Sequence, residues 1–283
     1  MKKLLLTLLS MMLLIPCAFA ELPKRDINVI SREEGSGTRG AFIELFGIEQ
    51  KNAEGVKVDY TTDYADITNS TAVMMTSVSG NPYAIGYISL GSLNDTVKAI
   101  EIDGVPASVE NIKNGTYTVA RPFNIATQAE VSAAAQAFID FILSAEGQAV
   151  VEKAGYIASV EDAQPFGGSR IAGKVVVAGS SSVTPVMEKL KEAYLLVNPN
   201  AEIEIQQSDS TTGMNYAKAG TCDIGMASRE LKASELEAGL VPTVIAMDGI
   251  AVIVNNDLEL TGLTTGQVRD IFMGTIENWS ELN

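Results

Sequence analysis

Histidine is absent from all 283 residues. That removes Ser-His-Asp and Cys-His nucleophilic catalysis and leaves any metal site to carboxylates alone. Cysteine is nearly absent too, with only Cys17 and Cys222. Once an N-terminal leader is removed Cys222 stands alone, so no internal disulfide can form. It lies in Gly220-Thr-Cys-Asp-Ile-Gly225 and reads as a small buried residue, not a reactive thiol. Positive charge is scarce, with 20 Lys and Arg against 35 Asp and Glu. Without the leader the balance is 18 to 35, a net charge of −17, which argues against nucleic acid and against anionic membrane surfaces. A small anionic ligand is still allowed, because donors in a desolvated cleft act at short range while surface charge is screened beyond ~10 Å. Beyond the leader, no segment is apolar enough to cross a bilayer. For an exported chain of this size these absences shift the expectation from enzyme to binding protein, with no cofactor and no catalytic residue.

The leader itself is legible. Lys2-Lys3 form a basic start, Leu4 to Ile15 an apolar core, and Ala18-Phe19-Ala20 a small-residue cleavage site before Glu21. Cys17 raises a lipoprotein signal, but Pro16 is a poor fit to the small residue such a signal needs, so cleavage near Ala20 is expected. The product is periplasmic or otherwise extracytoplasmic. At this length two domains, each with its own core, are expected.

The stretch Asn28-Val-Ile-Ser-Arg-Glu-Glu-Gly-Ser-Gly-Thr-Arg-Gly-Ala-Phe42 organises the rest. An apolar strand delivers a Gly, Ser and Thr loop to a helix beginning at Ala41. Helix N-termini expose amides without intrahelical partners and carry partial positive charge, which makes such a loop an anion site. Gly35 and Gly37 permit close backbone approach, Ser36 and Thr38 add hydroxyls, and Arg32 adds a forked charge. The same letters fit a dinucleotide fingerprint, Gly35-x-Gly37-x-x-Gly40, with Asp59 where a ribose-binding acid would fall. An oxidoreductase therefore stands as an alternative.

Similar loops recur. Lys174-Val-Val-Val-Ala178 is a strand running into Gly179-Ser-Ser-Ser-Val183, and Thr184-Pro185 opens a helix. Ala201 to Gln206 alternates as a strand before Ser208-Asp-Ser-Thr-Thr-Gly213, with a helix over 214–219. Between the first loop and these lie a helix over 68–78, strands over 83–89 and 97–102, a loop over 111–117 and an extended run over 119–127. Two helices follow over 128–154, then a connector over 163–170. Val244 to Val254 is apolar except for Asp248 and Gly249, which suggests a strand crossing between domains. Thr264-x-x-Gln267 is a capping box for a last helix. Repeated strand, polar loop and helix imply an α/β architecture with mainly parallel sheet, the ligand lying beyond the carboxyl ends of the strands.

Together, Gly179 to Pro185, Asp223-Ile-Gly-Met-Ala-Ser-Arg-Glu-Leu231 and Ser31 to Phe42 resemble the phosphate-binding protein family. These are the solute receptors of the phosphate-specific ABC transporter. The order differs from the family's: the Ser31 loop normally follows the segment seen here as Asn278-Trp-Ser280. The resemblance thus implies a circularly permuted, two-domain venus-flytrap of type II-like periplasmic-binding-protein fold, with Gly167-Gly-Ser169 joining the old ends. It implies one domain from 21–118 plus 249–283, another over 119–248, and a hinge near 117–119 and 247–250. It assigns phosphate to Arg32, Ser36, Gly37, Thr38, Ser182, Val183, Ser210 and Ser228, with Glu34 orienting Arg32. Where some members have a proton-accepting aspartate this chain has Ser228, so sulfate or molybdate remain alternative anions and a sensor without a transporter an alternative role. The implied partners are inorganic phosphate and an inner-membrane permease, with the receptor a monomer.

Overall fold

A computed structural model describes residues 21–282; the leader expectations on Lys2 to Ala20 lie outside the described residues. Ten strands join in one sheet. Its main path runs Ala201–Ser208, Gly173–Ser180, Ile224–Ala227, Ala120–Thr127, Val241–Val254, Ala84–Ser89, Asn28–Arg32, Asp66–Thr68. Each flank is parallel: Gly173–Ser180 pairs in parallel with both its neighbours, and so does Asn28–Arg32. The centre is antiparallel, which the mainly parallel expectation missed. Val241–Val254 runs against Ala120–Thr127 up to Gly249, then against Ala84–Ser89 from Ile250. One fourteen-residue strand therefore serves two lobes and changes partner between Gly249 and Ile250.

The apolar residues sort accordingly. One set of clusters collects buried side chains from residues 22–119 and 250–279, the other from residues 123–246. The first lobe centres on Phe42, stacked on Tyr87 at 3.8 Å, with Phe272 edge-on at 4.7 Å. The second centres on Tyr194, with Phe138 and Phe141 at 5.1 and 5.3 Å. Such rings bury large apolar areas and fix relative orientations of the helices that carry them.

Most helices begin where side-chain chemistry places them. Ser36, Ser70 and Asp209 cap Gly37–Leu45, Thr71–Ser79 and Ser210–Ala219 by accepting an amide three residues on. Two of these helices start four residues earlier than apolar periodicity suggests, because the cap and not the first apolar residue sets the start. Pro185 sits in the first turn of Thr184–Val197, and the Thr264 capping box forms as expected. A short helix Val109–Lys113, capped by Ser108, occupies part of the expected 111–117 loop. Few apolar residues mark it.

Candidate functional site

The helices Gly37–Leu45 and Thr71–Ser79 of the first lobe point their N-termini at the second. The helices Thr184–Val197 and Ser210–Ala219 point theirs back. Side chains at these ends meet directly. Thr38 Oγ1 and Ser182 Oγ lie 2.7 Å apart, and Thr38 Oγ1 is 3.4 Å from Ser228 Oγ. Thr71 Oγ1 is 3.1 Å from Ser182 Oγ, and the Thr71 amide donates to Ser181 Oγ at 3.3 Å. Thr211 donates its amide and hydroxyl to the Gly35 carbonyl. All of Ser36, Thr38, Thr71, Ser181, Ser182, Ser210 and Ser228 are buried.

Arg32 ends its strand inside this seam, 2 % exposed. Its Nη2 donates to Ser181 Oγ at 3.1 Å, while Nε and Nη2 make a fork onto the Glu33 carboxylate at 2.8 and 2.7 Å. The orienting acid is thus Glu33, and Glu34, the expected one, is exposed. Glu33 directly follows Arg32 at the end of the strand, whereas Glu34 is already in the turn. Ser228 lies in the seam, its Oγ accepting from Ser180 Oγ at 2.9 Å and its amide donating to Ser210 Oγ at 3.1 Å. Gly37 packs so closely that an added Cβ would meet Ser210 Oγ and Ser228 Oγ. Val183 differs from the other expected residues. Its side chain is fully buried in the second core and its amide donates to the Ser180 carbonyl at 3.1 Å.

The structure accounts for the dinucleotide pattern differently. Gly35, like Gly37, lets the opposite lobe approach, since an added Cβ would meet the Asp209 carboxylate, whereas one on Gly40 would only touch the Arg229 side chain at 3.9 Å. Asp59 accepts from Arg39 Nε at 2.8 Å and from the Thr61 amide and hydroxyl at 2.8 and 2.6 Å. Burial would raise its pKa, but the Thr61 hydrogen bonds and the Arg39 charge hold it below the usual carboxylate value. Arg39 in turn donates to the Arg32 carbonyl at 2.7 Å. Cys222 is buried, and burial pushes its thiol up to about 11, which fits an inert core residue.

Sequence reasoning missed two seam residues and one buried pair. Ser181 was inside a noted loop without a role. Thr71 follows the Ser70 cap, and that Ser-Thr step ahead of an apolar helix was an available signal. The pair is Arg121 and Asp248, facing each other across the strands where the chain passes between lobes, at 3.2 Å and with side chains 2 % and 0 % exposed. Asp248 also accepts from Ser89 Oγ at 2.9 Å, in the first lobe. Burial raises its pKa to about 6 despite Arg121; burial likewise lowers Arg121, whose Nε and Nη1 have no hydrogen-bond partner among the described residues. Nearby, Tyr117 OH donates to the Ile250 carbonyl at 2.7 Å and the Ile250 amide to the Val119 carbonyl at 2.9 Å.

Among the described residues the seam offers hydroxyls, the leading amides of four helices and the Arg32 guanidinium, with Arg229, paired to Glu235, at its edge beside Thr211, and no nucleophile–base pair. Among the described residues no cluster of three His, Cys, Asp or Glu is placed to hold a metal ion, and no helix is long and apolar enough to cross a membrane.

Known proteins point the same way. The family model for a PBP superfamily domain matches residues 12–146 and 164–283. Phosphate-binding protein PstS 2 of Streptococcus agalactiae serotype V is 58% identical over 261 residues, 92% of this chain and 89% of that one. The crystal structure of a phosphate ABC transporter, phosphate-binding protein from Streptococcus pneumoniae TIGR4, superposes with a TM-score of 0.72 at 44% identity, covering 92% of this chain and all of that one, 100%. The phosphate-binding protein PstS of Bacillus subtilis is 31% identical over 120 residues, only 41% of this chain and 39% of its own.

Proposed function

The chain belongs to the PBP superfamily and, within it, to the phosphate-binding proteins, and from that premise we propose that it is an extracytoplasmic receptor for inorganic phosphate. It captures the anion by closing two lobes over it and delivers it to an ABC transporter permease in the inner membrane. The observation that carries this is the convergence of four helix N-termini and the buried Arg32 on one seam between the lobes. Helix-end amides, hydroxyls and a guanidinium gathered in one seam suit a small tetrahedral oxyanion.

In this reading Arg32, oriented by its fork onto Glu33, pairs with phosphate oxygens. Thr38, Ser36 and the Gly37 amide supply donors from the first lobe; Ser182, Ser210 and Ser228 supply them from the second. Val183 contributes mainly by seating the Ser182 loop, since its amide is already engaged. The lobes are 21–118 with 249–283, and 119–248. They move about the two crossings near Tyr117 and Ile250, which leaves the cores intact. The receptor works as a monomer, without catalysis.

We also propose that its order is circularly permuted relative to part of the family. The first and last described segments lie side by side: Asp26 bridges to Asn278, and the Ile27 amide donates to the Glu277 carbonyl at 2.8 Å. Gly167 and Gly168 are exposed with open space around them, as a joint between old ends would be. A match to the Bacillus protein over less than half of each chain is what a permuted order would leave.

Calorimetric competition among phosphate, sulfate, arsenate and molybdate tests the reading, with phosphate expected to bind and sulfate to compete poorly. Tight sulfate or molybdate binding without phosphate would move the assignment to that anion. Binding of none would defeat it, and NAD binding by a dialysed sample would restore the oxidoreductase alternative.

A further inference from the structure

The fork of Arg32 onto Glu33 sets one residue against the next. Both precede a loop containing Gly35 and Gly37, and a glycine loop leaves such a pair free to swing relative to Ser36 and Thr38 unless something ties it to the helix Gly37–Leu45. Arg39, in the first turn of that helix, makes the tie. Its Nη1 donates to the Arg32 carbonyl at 2.7 Å. Its amide donates to Ser36 Oγ at 3.3 Å, so one residue reaches both the start and the middle of the anion loop. The Arg32 amide donates to Tyr87 OH at 3.2 Å, and Tyr87 stacks on Phe42 of the same helix. Arg39 is itself aimed from outside the loop. Its Nε donates to Asp59 Oδ2 at 2.8 Å, and Asp59 Oδ1 accepts from the Thr61 amide and hydroxyl at 2.8 and 2.6 Å. A cation in a first turn opposes the helix dipole. Asp59 offsets that cost, but helix stability alone gives no reason for an arginine there.

We infer that Arg39, aimed by Asp59, is a positioning residue for anion capture: it fixes Arg32 against the helix that carries Gly37 and Thr38, so that guanidinium and loop donors stand in register before the anion arrives. The inference rests on the oxyanion-receptor reading. Arg39 is not an anion ligand in it, since its Nε and Nη1 are engaged by protein oxygens. It acts through Arg32, and through its fork and not its charge. A binding constellation loses affinity when its members drift by a fraction of an ångström, and the groups that lock them are as necessary as those that touch the ligand. Fixing them beforehand also removes an ordering cost at the moment of binding. Lysine at this position would keep the charge, but a single ammonium on a flexible stem cannot span the Asp59 carboxylate and the Arg32 carbonyl as a planar fork does.

The test is calorimetric titration of the purified protein, stripped of phosphate, with inorganic phosphate. It is repeated on Arg39→Lys and Arg39→Ala, and on Arg39→Lys combined with Arg32→Ala, with melting of each ligand-free protein as the check on folding. The expected result is a Kd raised about 3- to 12-fold in both single variants, the effect of one lost hydrogen bond. On the Arg32→Ala background, where no guanidinium is left to position, Arg39→Lys should change Kd by less than about twofold. Wild-type affinity in Arg39→Lys overturns the inference: with a loss confined to Arg39→Ala the residue supplies charge, and with no loss in either it supplies nothing. The same fold-loss with and without Arg32 also overturns it, because Arg39 would then act on the anion by another route. Arg39→Lys decides these outcomes even where Arg39→Ala does not fold. Failure of the wild type to bind phosphate defeats the receptor reading itself, which separates the two failures.

Discussion

Replacing Gly37 by alanine isolates the contribution of lobe contact to affinity. Gly37 opens its helix in the first lobe, and a Cβ there would fall 2.4 Å from Ser210 Oγ and 2.8 Å from Ser228 Oγ in the second. Ordinary contact begins about 1 Å farther out. Two relaxations are available. The Ser210 hydroxyl can rotate away, but it accepts the buried Ser228 amide at 3.1 Å, and an orphaned buried amide costs about 1–3 kcal/mol. Alternatively the lobes part, which stretches the 2.7 Å Thr38–Ser182 contact and costs a similar amount, as overpacking does. Either way phosphate affinity falls by about 1–3 kcal/mol, or ~5- to ~150-fold in Kd. The folded first lobe loses nothing, since alanine is the better helix former by up to ~1 kcal/mol. Calorimetry gives the affinity, and melting without ligand gives the stability. Wild-type affinity in Gly37→Ala would mean that this glycine does not face the opposite lobe when the anion is held. A lowered melting temperature matching the affinity loss would mean that the effect is misfolding.

Three further outcomes are expected. Arg32→Ala removes the buried guanidinium and leaves Glu33 unpaired, so phosphate affinity drops by ~2–5 kcal/mol; near-wild-type titration would take Arg32 out of the site. Thr71→Val keeps shape and deletes the hydroxyl 3.1 Å from Ser182, costing ~0.5–1.5 kcal/mol of affinity, with unchanged affinity marking the contact as incidental. Asp248→Asn tests the pair at the crossing. A carboxyl raised by burial from 3.8 to about 6 gives stability fully present below about pH 4 and lost as pH rises through 6. The wild type should therefore lose up to ~3 kcal/mol relative to Asp248→Asn between pH 4 and 7, read as a shrinking difference in unfolding free energy; a constant difference would show that Asp248 stays ionised throughout.

How much of this was legible in the sequence follows from which residues interact locally. The strand–loop–helix unit around Arg32 is a local event, written in Ile27 to Phe46, and it formed, with its helix starting at Gly37, four residues before the expected Ala41. Thr184–Val197 opened where expected, because Pro185 tolerates only a first turn. The antiparallel centre of the sheet was not legible. Val244 to Val254 reads as a buried strand whichever way it runs, and its direction is set by a return between lobes. Glu33 against Glu34 turned on where the strand ended, a one-residue question that alternation cannot settle. Thr71 and Ser181 become partners only when segments 110 residues apart meet. Asp248 was visible as the one charge in an apolar run, but its partner Arg121 lies 127 residues away.

The apparent contradiction between a strongly acidic chain and an anionic ligand is resolved by how the charges pair. Arg32 is matched by Glu33 and Arg121 by Asp248, both within the seam or beneath it. In the proposed reading the cradle gains its pull less from net positive charge than from oriented dipoles, the N-termini of four helices and the hydroxyls that cap or flank them. Dipoles fixed by packing need no reorganisation when the anion arrives, and their reach is short. They are strong where water is excluded and negligible at the surface, where the acidic residues stand in high dielectric and are screened. In that reading the acidic exterior does not oppose capture. On the proposed reading closure, which both excludes water and brings the two pairs of helix ends together, is the step on which affinity depends.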